Sequence, residues 1–373
     1  MSVASRVMRR GLLVAVTASS AVVLGAPYVG QIRGRLQEAL PGQYRTIVAA
    51  IVIAAAGAAV VAAVARIREH RFRRYLCLAT ALAIAIAYGR ATRSGNVDQD
   101  LVEQFHFVEY GVVTYLFYRV WRDRGDGAAL MLPLCAGVIV GILDEWFQWF
   151  IPGRVGELRD VLINAVAVAC GLLFSVGVHP VRVDTTSTTG PGRRAIAAGA
   201  AAVILAAAVF VDAVHVGHEV YDPRVGTFRS QFAGEALIAA STERAGRWRA
   251  QPPVTSTGIA REDHYLSEGQ WHVQRRNEAA GDPDRWRAWH ENLILETFFA
   301  PVLDLGSRWT AEQRADAEVT ALSDRASYLS DAEPYPIVAI SRTTYWASVA
   351  AILTALAVLA SVRMQSDRRG VAR

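Results

Sequence analysis

The sequence predicts an all-α membrane protein: a polytopic bundle of about eight transmembrane helices carrying a mainly helical extracytoplasmic domain. Three observations predict it. Hydrophobic residues make up 53% of the chain and mean hydropathy is +0.23, above what a soluble domain of this length shows. Apolar runs long enough to cross ~30 Å of hydrocarbon recur along the chain. The arginines fall in alternate segments between those runs.

The runs lie near 11–30, 46–65, 75–92, 105–121, 128–150, 159–178, 195–216 and 344–362. Arg6, Arg9 and Arg10 precede the first, as in a signal peptide, but Gly25–Ala26 makes a poor cleavage site, so it reads as a retained anchor. With the N-terminus placed in the cytoplasm, the inner segments hold 18 arginines and the short outer loops hold 7. That bias predicts cytoplasmic termini, an extracytoplasmic segment at 217–341 and residence in the bacterial cytoplasmic (inner) membrane. The expected division is an N-terminal transmembrane hairpin (1–70), a four-helix membrane domain (71–182), a linker and seventh span (183–216), the extracytoplasmic domain (217–341) and a last span with its tail (342–373). The polar stretch 183–192 reads as the linker.

Composition excludes several chemistries. The chain has no lysine, which removes the phosphate lysine of a P-loop and the amine of a Schiff base. Cys77, Cys135 and Cys170 each lie in an apolar run and read as small hydrophobes. No Cys-x-x-Cys occurs, so no zinc ribbon or attached haem is expected, and no cofactor is read from the chain. Although the chain carries +5 overall, residues 217–341 carry −6. The positive charge therefore belongs to the membrane segments, and neither nucleic acid nor nucleotide is an expected partner.

Within 217–341 three helical stretches are expected. Residues 231–250 are amphipathic. Residues 284–304 place Trp286, Trp289, Leu293, Leu295, Phe298 and Phe299 on a broad apolar face. Residues 310–329 open on Thr310 followed by Glu312 and Gln313, a capping-type start. The Pro- and Gly-rich stretch 251–283 reads as loops with short elements. A polar patch at Trp271–Asn277 and at Trp289–Asn292 with Glu296, and Asp263–His264, reads as the surface of a tryptophan-rich helical core. His215 and His218 sit at the expected end of span 7, at helical spacing.

Polar residues inside spans are costly and therefore informative. Span 4 begins with His106, Glu109 and Tyr110; span 5 ends with Asp144, Glu145 and Gln148; Pro152 and Arg154 follow; and span 6 begins with Asp160 and Asn164. His106 and Glu109 share a helix face, as do Asp144 with Gln148 and Asp160 with Asn164. The arginine-derived topology places all of them near the outer leaflet. Two accounts stand side by side. In one, Arg154 neutralises Asp144, Glu145 or Asp160 in a structural ion-pair network. In the other, the cluster binds a polar ligand. No metal is assigned, because one histidine is thin for zinc and Arg154 opposes a dense cation site.

The order His106-Phe107 with Tyr110, Asp144-Glu145 with Gln148, Pro152 with Arg154, and Asp160 with Asn164 resembles the VanZ-like family of bacterial membrane proteins. The resemblance spans roughly residues 75–180. Departures are Ala167 where the family pattern has glycine, and Glu103-Gln104 where it has Asp-Lys. The resemblance implies a multi-pass architecture in the cell envelope more than a mechanism.

Two functional readings follow. In the first, the protein binds a polar lipid-, glycan- or peptide-type ligand or partner at the outer leaflet through the His/Glu/Asp/Arg cluster. In the second, it is a non-catalytic accessory or scaffold subunit of a larger membrane complex, docking partners through its extracytoplasmic domain and spans. Membrane lipids and other membrane or periplasmic proteins are the expected partners. The hydride, electron or phosphoryl machinery of an enzyme class is not legible, so a non-enzymatic role is favoured and catalysis stays open.

Overall fold

The computed structural model describes every residue except 1–2, 41, 94, 96, 153, 182–189, 254–262, 282–284, 321–324, 334 and 372–373. Most of the expected 183–192 linker therefore lies outside the described residues. The chain forms two compact units. One comprises Met1–Gln148, Gly156–Phe210 and Ala347–Arg373; the other comprises Trp149–Val155 and Val211–Trp346.

The first, the membrane unit, is built on α1 (Val3–Ala39), α2 (Tyr44–Arg66), α3 (Arg71–Ala91), α4 (Val97–Trp121), α5 (Ala128–Gln148), α6 (Leu158–Val178) and α7 (Gly190–Val214), with most of a last helix, Arg342–Val371. Among the described residues, seven helices are long and apolar enough to cross a membrane. They correspond to seven of the eight expected spans. The expected span 105–121 is also helical, within α4, but falls short on hydropathy. Its position explains this: α4 packs against α1, α2, α3, α5 and α6. A helix enclosed by other helices faces little lipid, so it tolerates the half-buried His106 and Glu109 along its length.

Side-chain contacts fix the relative directions in this unit. Arg74 near the start of α3 reaches the last carbonyls of α6, and Arg159 at the start of α6 reaches Thr92 just past α3, so α3 and α6 are antiparallel. The helices α4, α5 and α6 meet on small residues. A Cβ added at Gly137 or Gly141 of α5 would lie 2.8 Å from Val168 or Asn164 of α6, and one at Gly171 would lie 2.8 Å from the Gly111 backbone of α4. Gly137-x-x-x-Gly141 is the spacing that lets two membrane helices approach closely. Around these contacts Tyr110, Val113, Phe117, Val140, Ala167 and Val168 form a buried core. Cys135 and Cys170 are buried as expected of small hydrophobes, and Cys77 is partly exposed.

The second, inter-span unit is mainly helical, as expected, but it also contains a small sheet that the sequence reading missed. Strands β1 (Val216–Asp222) and β2 (Gly226–Ser230) form an antiparallel hairpin, and β3 (Val338–Ala339) pairs parallel with β1, giving the order β2-β1-β3. The hairpin turn uses Gly226 at φ +103°, where a Cβ would also collide with the Tyr328 carbonyl at 2.5 Å. Because β1 starts at Val216, His215 and His218 do not lie one helical turn apart. His215 is buried against Pro336 O at 2.9 Å, and His218 is exposed on the strand.

Helices α8 (Gly234–Ala250), α9 (His264–Ala280), α10 (Trp286–Phe298), α11 (Ala300–Leu303) and α12 (Ala311–Glu318) follow, with a 3₁₀ turn at Arg325–Ser327; the last helix of the chain is α13 (Arg342–Val371). The helix α9 occupies half of the stretch expected to be loops. Its apolar residues are sparse, yet Tyr265, Leu266 and Ala279 are buried by tertiary packing. The helix α12 opens with the expected cap, and Gln313 completes it as a capping box: Gln313 N donates to Thr310 Oγ1 and Thr310 N donates to Gln313 Oε1. It ends at Glu318, well short of 329. The core gathers Phe228, Leu237, Tyr265, Ile294, Leu295, Phe298, Phe299 and Val302, with each large side chain contributing roughly 1.5–3 kcal/mol by burial.

Candidate functional site

The membrane-unit cluster is built at the α4 N-terminal half, the α5 C-terminus and the α6 N-terminus. Tyr110 is fully buried, and its hydroxyl donates to Asp144 Oδ2 at 2.9 Å. Gln148, one turn after Asp144, donates from Nε2 to Asp144 Oδ2 at 3.2 Å and to Glu145 Oε1 at 3.3 Å. Asn164 crosses from α6, donating to Glu145 Oε1 at 3.2 Å and to the Gly141 carbonyl at 3.4 Å. Successive helix residues point about 100° apart. Asp144 therefore addresses α4 while Glu145 addresses α6, and Gln148 spans both.

Asp144, Glu145, Gln148 and Asn164 are all buried, and Tyr110 with them. His106 and Glu109 are half-buried one turn and one residue from Tyr110. The His106 ring stacks on Tyr110 with centroids 6.0 Å apart, and Glu109 lies close enough to Asp144 for their charges to interact. The structure thus brings Tyr110, Asp144, Glu145, Gln148 and Asn164 into one hydrogen-bonded network with His106 and Glu109 beside it. Asp160 is half-buried at the first turn of α6. Arg154, expected to neutralise the carboxylates, belongs by its contacts to the inter-span unit. The donors described for Asp144 and Glu145 are a phenol and two amides.

One pair at this end escaped the sequence reading. Arg159 Nη2 donates to Glu103 Oε1 at 2.8 Å and to the Thr92 carbonyl at 2.8 Å, tying the starts of α4 and α6 to the end of α3. Glu103 had stood out only as a departure from the family pattern. The intervening 56 residues hid its partner.

The inter-span unit holds a second buried network, where the sequence reading placed surface residues. Glu291 is fully buried and accepts from Tyr328 Oη and Ser330 Oγ, each at 2.5 Å, while His272 Nδ1 lies 2.6 Å from its other oxygen. Burial and the Glu291 carboxylate push the Tyr328 phenol well above its usual range. Glu268, one turn before His272, accepts from Ser230 Oγ at 2.5 Å and from Gln231 N at 2.9 Å. Burial raises its carboxyl to about 7 in spite of those two donors. Arg276, also buried, donates to Asn292 Oδ1 and to the Ser307 carbonyl, and burial lowers it to about 10. Asp263 pairs with Arg244 and Arg247, and His264 stacks on Trp149 with centroids 3.9 Å apart. These groups are filled by one another and packed among aromatics, which is the arrangement of a polar core. Among the described residues, no group of three His, Cys, Asp or Glu side chains is placed to hold a metal ion.

Seven long apolar helices around a small-residue core define a multi-pass membrane protein. Residues 65–179, the segment from the end of α2 to the end of α6, match the VanZ/LLP1 family model. The protein therefore carries a VanZ-like segment, and every network residue of the membrane unit lies within it. No curated protein and no solved structure matches the chain.

Proposed function

We propose that this is a VanZ-like envelope protein that binds a polar lipid-, glycan- or peptide-type ligand at the outer leaflet, with Asp144, Glu145, Glu109 and His106 as the recognition cluster. The observation carrying this reading is the pair of adjacent buried carboxylates, Asp144 and Glu145, held in place by Tyr110, Gln148 and Asn164, with half-buried Glu109 and His106 alongside. Three carboxyl groups make the cluster rich in acceptors. It suits a ligand that presents amino or hydroxyl donors. Asp160 would border the ligand in this reading, with the bacterial cytoplasmic membrane as its setting and both termini in the cytoplasm.

The test is purification of the full chain in mild detergent, with mass spectrometry of co-purifying lipids, glycopeptides and proteins. Glu109→Gln and His106→Gln, at half-buried positions, should deplete a small-molecule species while thermal stability is kept. An unchanged set of co-purifying molecules in both variants would sink the reading. A second reading, a scaffold subunit, is favoured by the near-complete burial of Tyr110, Asp144, Glu145 and Asn164, which are hydrogen-bonded among themselves and with Gln148. It expects stoichiometric co-purification of another membrane protein, unaffected by those variants.

A further inference from the structure

The opposite end of the membrane unit carries a different concentration of charge. Four arginines distant in sequence converge there on His179, the residue that follows α6. The apolar cluster of Ala63, Ile67 and Val178, with Leu78 and Phe174 packed on it, draws the ends of α2, α3 and α6 together. Arg74 of α3 then lays its guanidinium on the end of α6, donating from Nε to the Gly177 carbonyl at 2.7 Å and from Nη2 to the Val178 carbonyl at 2.5 Å. From α4, Tyr118 Oη donates to the His179 carbonyl, and Tyr115 Oη lies 3.2 Å from His179 Nε2. Arg119 sits 6.0 Å over the Tyr115 ring.

The electrostatics follow from this packing. Burial depresses the His179 imidazole below its ordinary value, and Arg122, Arg66, Arg119 and Arg74 depress it further. The ring is held neutral, as a hydrogen-bonding group amid four guanidinium charges. Arg74 is bonded to carbonyls, which orient it but leave its charge in place. Asp123 lies 3.7 Å from Arg122 Nε but is largely exposed, so water screens much of its effect. Like charges crowded at the end of a helix bundle repel, and an anion shared among them relieves that repulsion.

We propose that this end of the bundle binds the phosphate of an anionic phospholipid headgroup. Guanidinium groups match phosphate oxygens in a bidentate fork, and the Tyr115 hydroxyl and the His179 imidazole add neutral hydrogen-bonding groups. The occupant is a lipid because the ligand must reach the ends of membrane-crossing helices. Phe72 and Leu76, on the first turns of α3, are exposed apolar side chains on the face of that helix turned away from Arg74, suited to acyl chains around the bundle. Basic pockets between helix ends are a recurrent solution for such headgroups. The site lies at the other end of α4 and α6 from the acceptor-rich cluster and is independent of that cluster's ligand.

The experiment reconstitutes the full chain in nanodiscs and measures headgroup preference by native mass spectrometry, comparing phosphatidylglycerol with phosphatidylcholine. Wild type should retain phosphatidylglycerol preferentially. The triple variant Arg66→Gln, Arg119→Gln, Arg122→Gln should lose that preference by about tenfold or more, each arginine near an anionic surface contributing several-fold. A control triple, Arg68→Gln, Arg71→Gln, Arg73→Gln, removes the same charge from the neighbouring exposed segment and should lose much less. Equal loss in the two triples overturns the proposal, because the effect is then general surface charge. Absence of any preference in wild type overturns it as well. Inorganic phosphate added to phosphatidylcholine discs should not protect the chain against thermal unfolding. If it protects as well as phosphatidylglycerol, the ligand is free phosphate and the lipid assignment falls. Should the cluster triple fail to fold, Tyr115→Phe with His179→Gln tests the same site without removing charge, and unaltered preference in that variant overturns the proposal.

Discussion

Each compact unit buries a carboxylate network, and the two are hydrogen-bonded differently. In the membrane unit, Asp144 and Glu145 take hydrogen bonds from a phenol and from the amides of Gln148 and Asn164, near the boundary of three helices. In the inter-span unit, Glu291 takes two hydroxyls at 2.5 Å and an imidazole at 2.6 Å, inside an aromatic core. The bonds to the carboxylates of the first network run from 2.9 to 3.3 Å. Short bonds from hydroxyls mark a carboxylate whose neighbours are dedicated to it. The longer amide bonds, with half-buried Glu109 and His106 alongside, leave the first network better suited to admit a ligand.

The contrast can be broken experimentally. The largest effect is expected from Glu291→Ala, which strands His272, Tyr328 and Ser330 without their acceptor. It should destabilise the inter-span unit by about 3–5 kcal/mol, read as a lowered unfolding temperature of the full chain by tryptophan fluorescence. A smaller change comes from Glu268. Its carboxyl is raised from 4.5 to about 7, so the folded state holds its proton more tightly than the unfolded state. The stabilisation is fully present below the ordinary value and is lost as pH rises through about 7. Glu268→Gln imitates the protonated form. It should raise stability at pH 8 by about 2–3 kcal/mol and leave it nearly unchanged at pH 4, in paired melts at the two pH values. His290, lowered chiefly by burial, acts oppositely, costing stability as pH falls through its ordinary range in both proteins, so the difference between variant and parent isolates Glu268.

In the membrane unit, Gly141→Ala puts a Cβ 2.8 Å from the Asn164 Cβ and should cost about 2 kcal/mol by prying α5 from α6, measured as thermal stability in detergent. The smallest effect is expected for Asp144→Asn, about 1 kcal/mol, because the amide keeps an oxygen for Tyr110. If Asp144→Asn proved to be no milder than Glu291→Ala, the membrane network would be held as firmly as the inter-span one, and the scaffold reading would gain.

Much of this was legible in the chain. The apolar runs located seven qualifying spans, and the residues of the cluster were marked by being polar where polarity is expensive. Partner choice was less legible. Asp160 and Asn164 share a face by spacing, yet the described bonds of Asn164 run to Glu145 and Gly141 on α5. Arg159, the first residue of the expected sixth span, serves as the tie to Glu103, a partner that spacing does not reveal. In the inter-span unit the strands were hidden because β1 is seven residues long and follows directly on the apolar run of α7. The helix α9 was hidden because its buried face includes Glu268, His272 and Arg276, which read as surface in any hydropathy pattern.

By itself the sequence determined that the chain crosses a membrane several times, since the cost of unsatisfied backbone in hydrocarbon permits only helices along such runs. It also determined which polar residues in those runs needed an explanation. Only the tertiary structure decided which of them meet. Period and spacing set the face on which a side chain sits, whereas the close approach of α5 and α6 at Gly137 and Gly141, and the folding of β2, α9 and α10 around Glu268 and Glu291, set what that face touches.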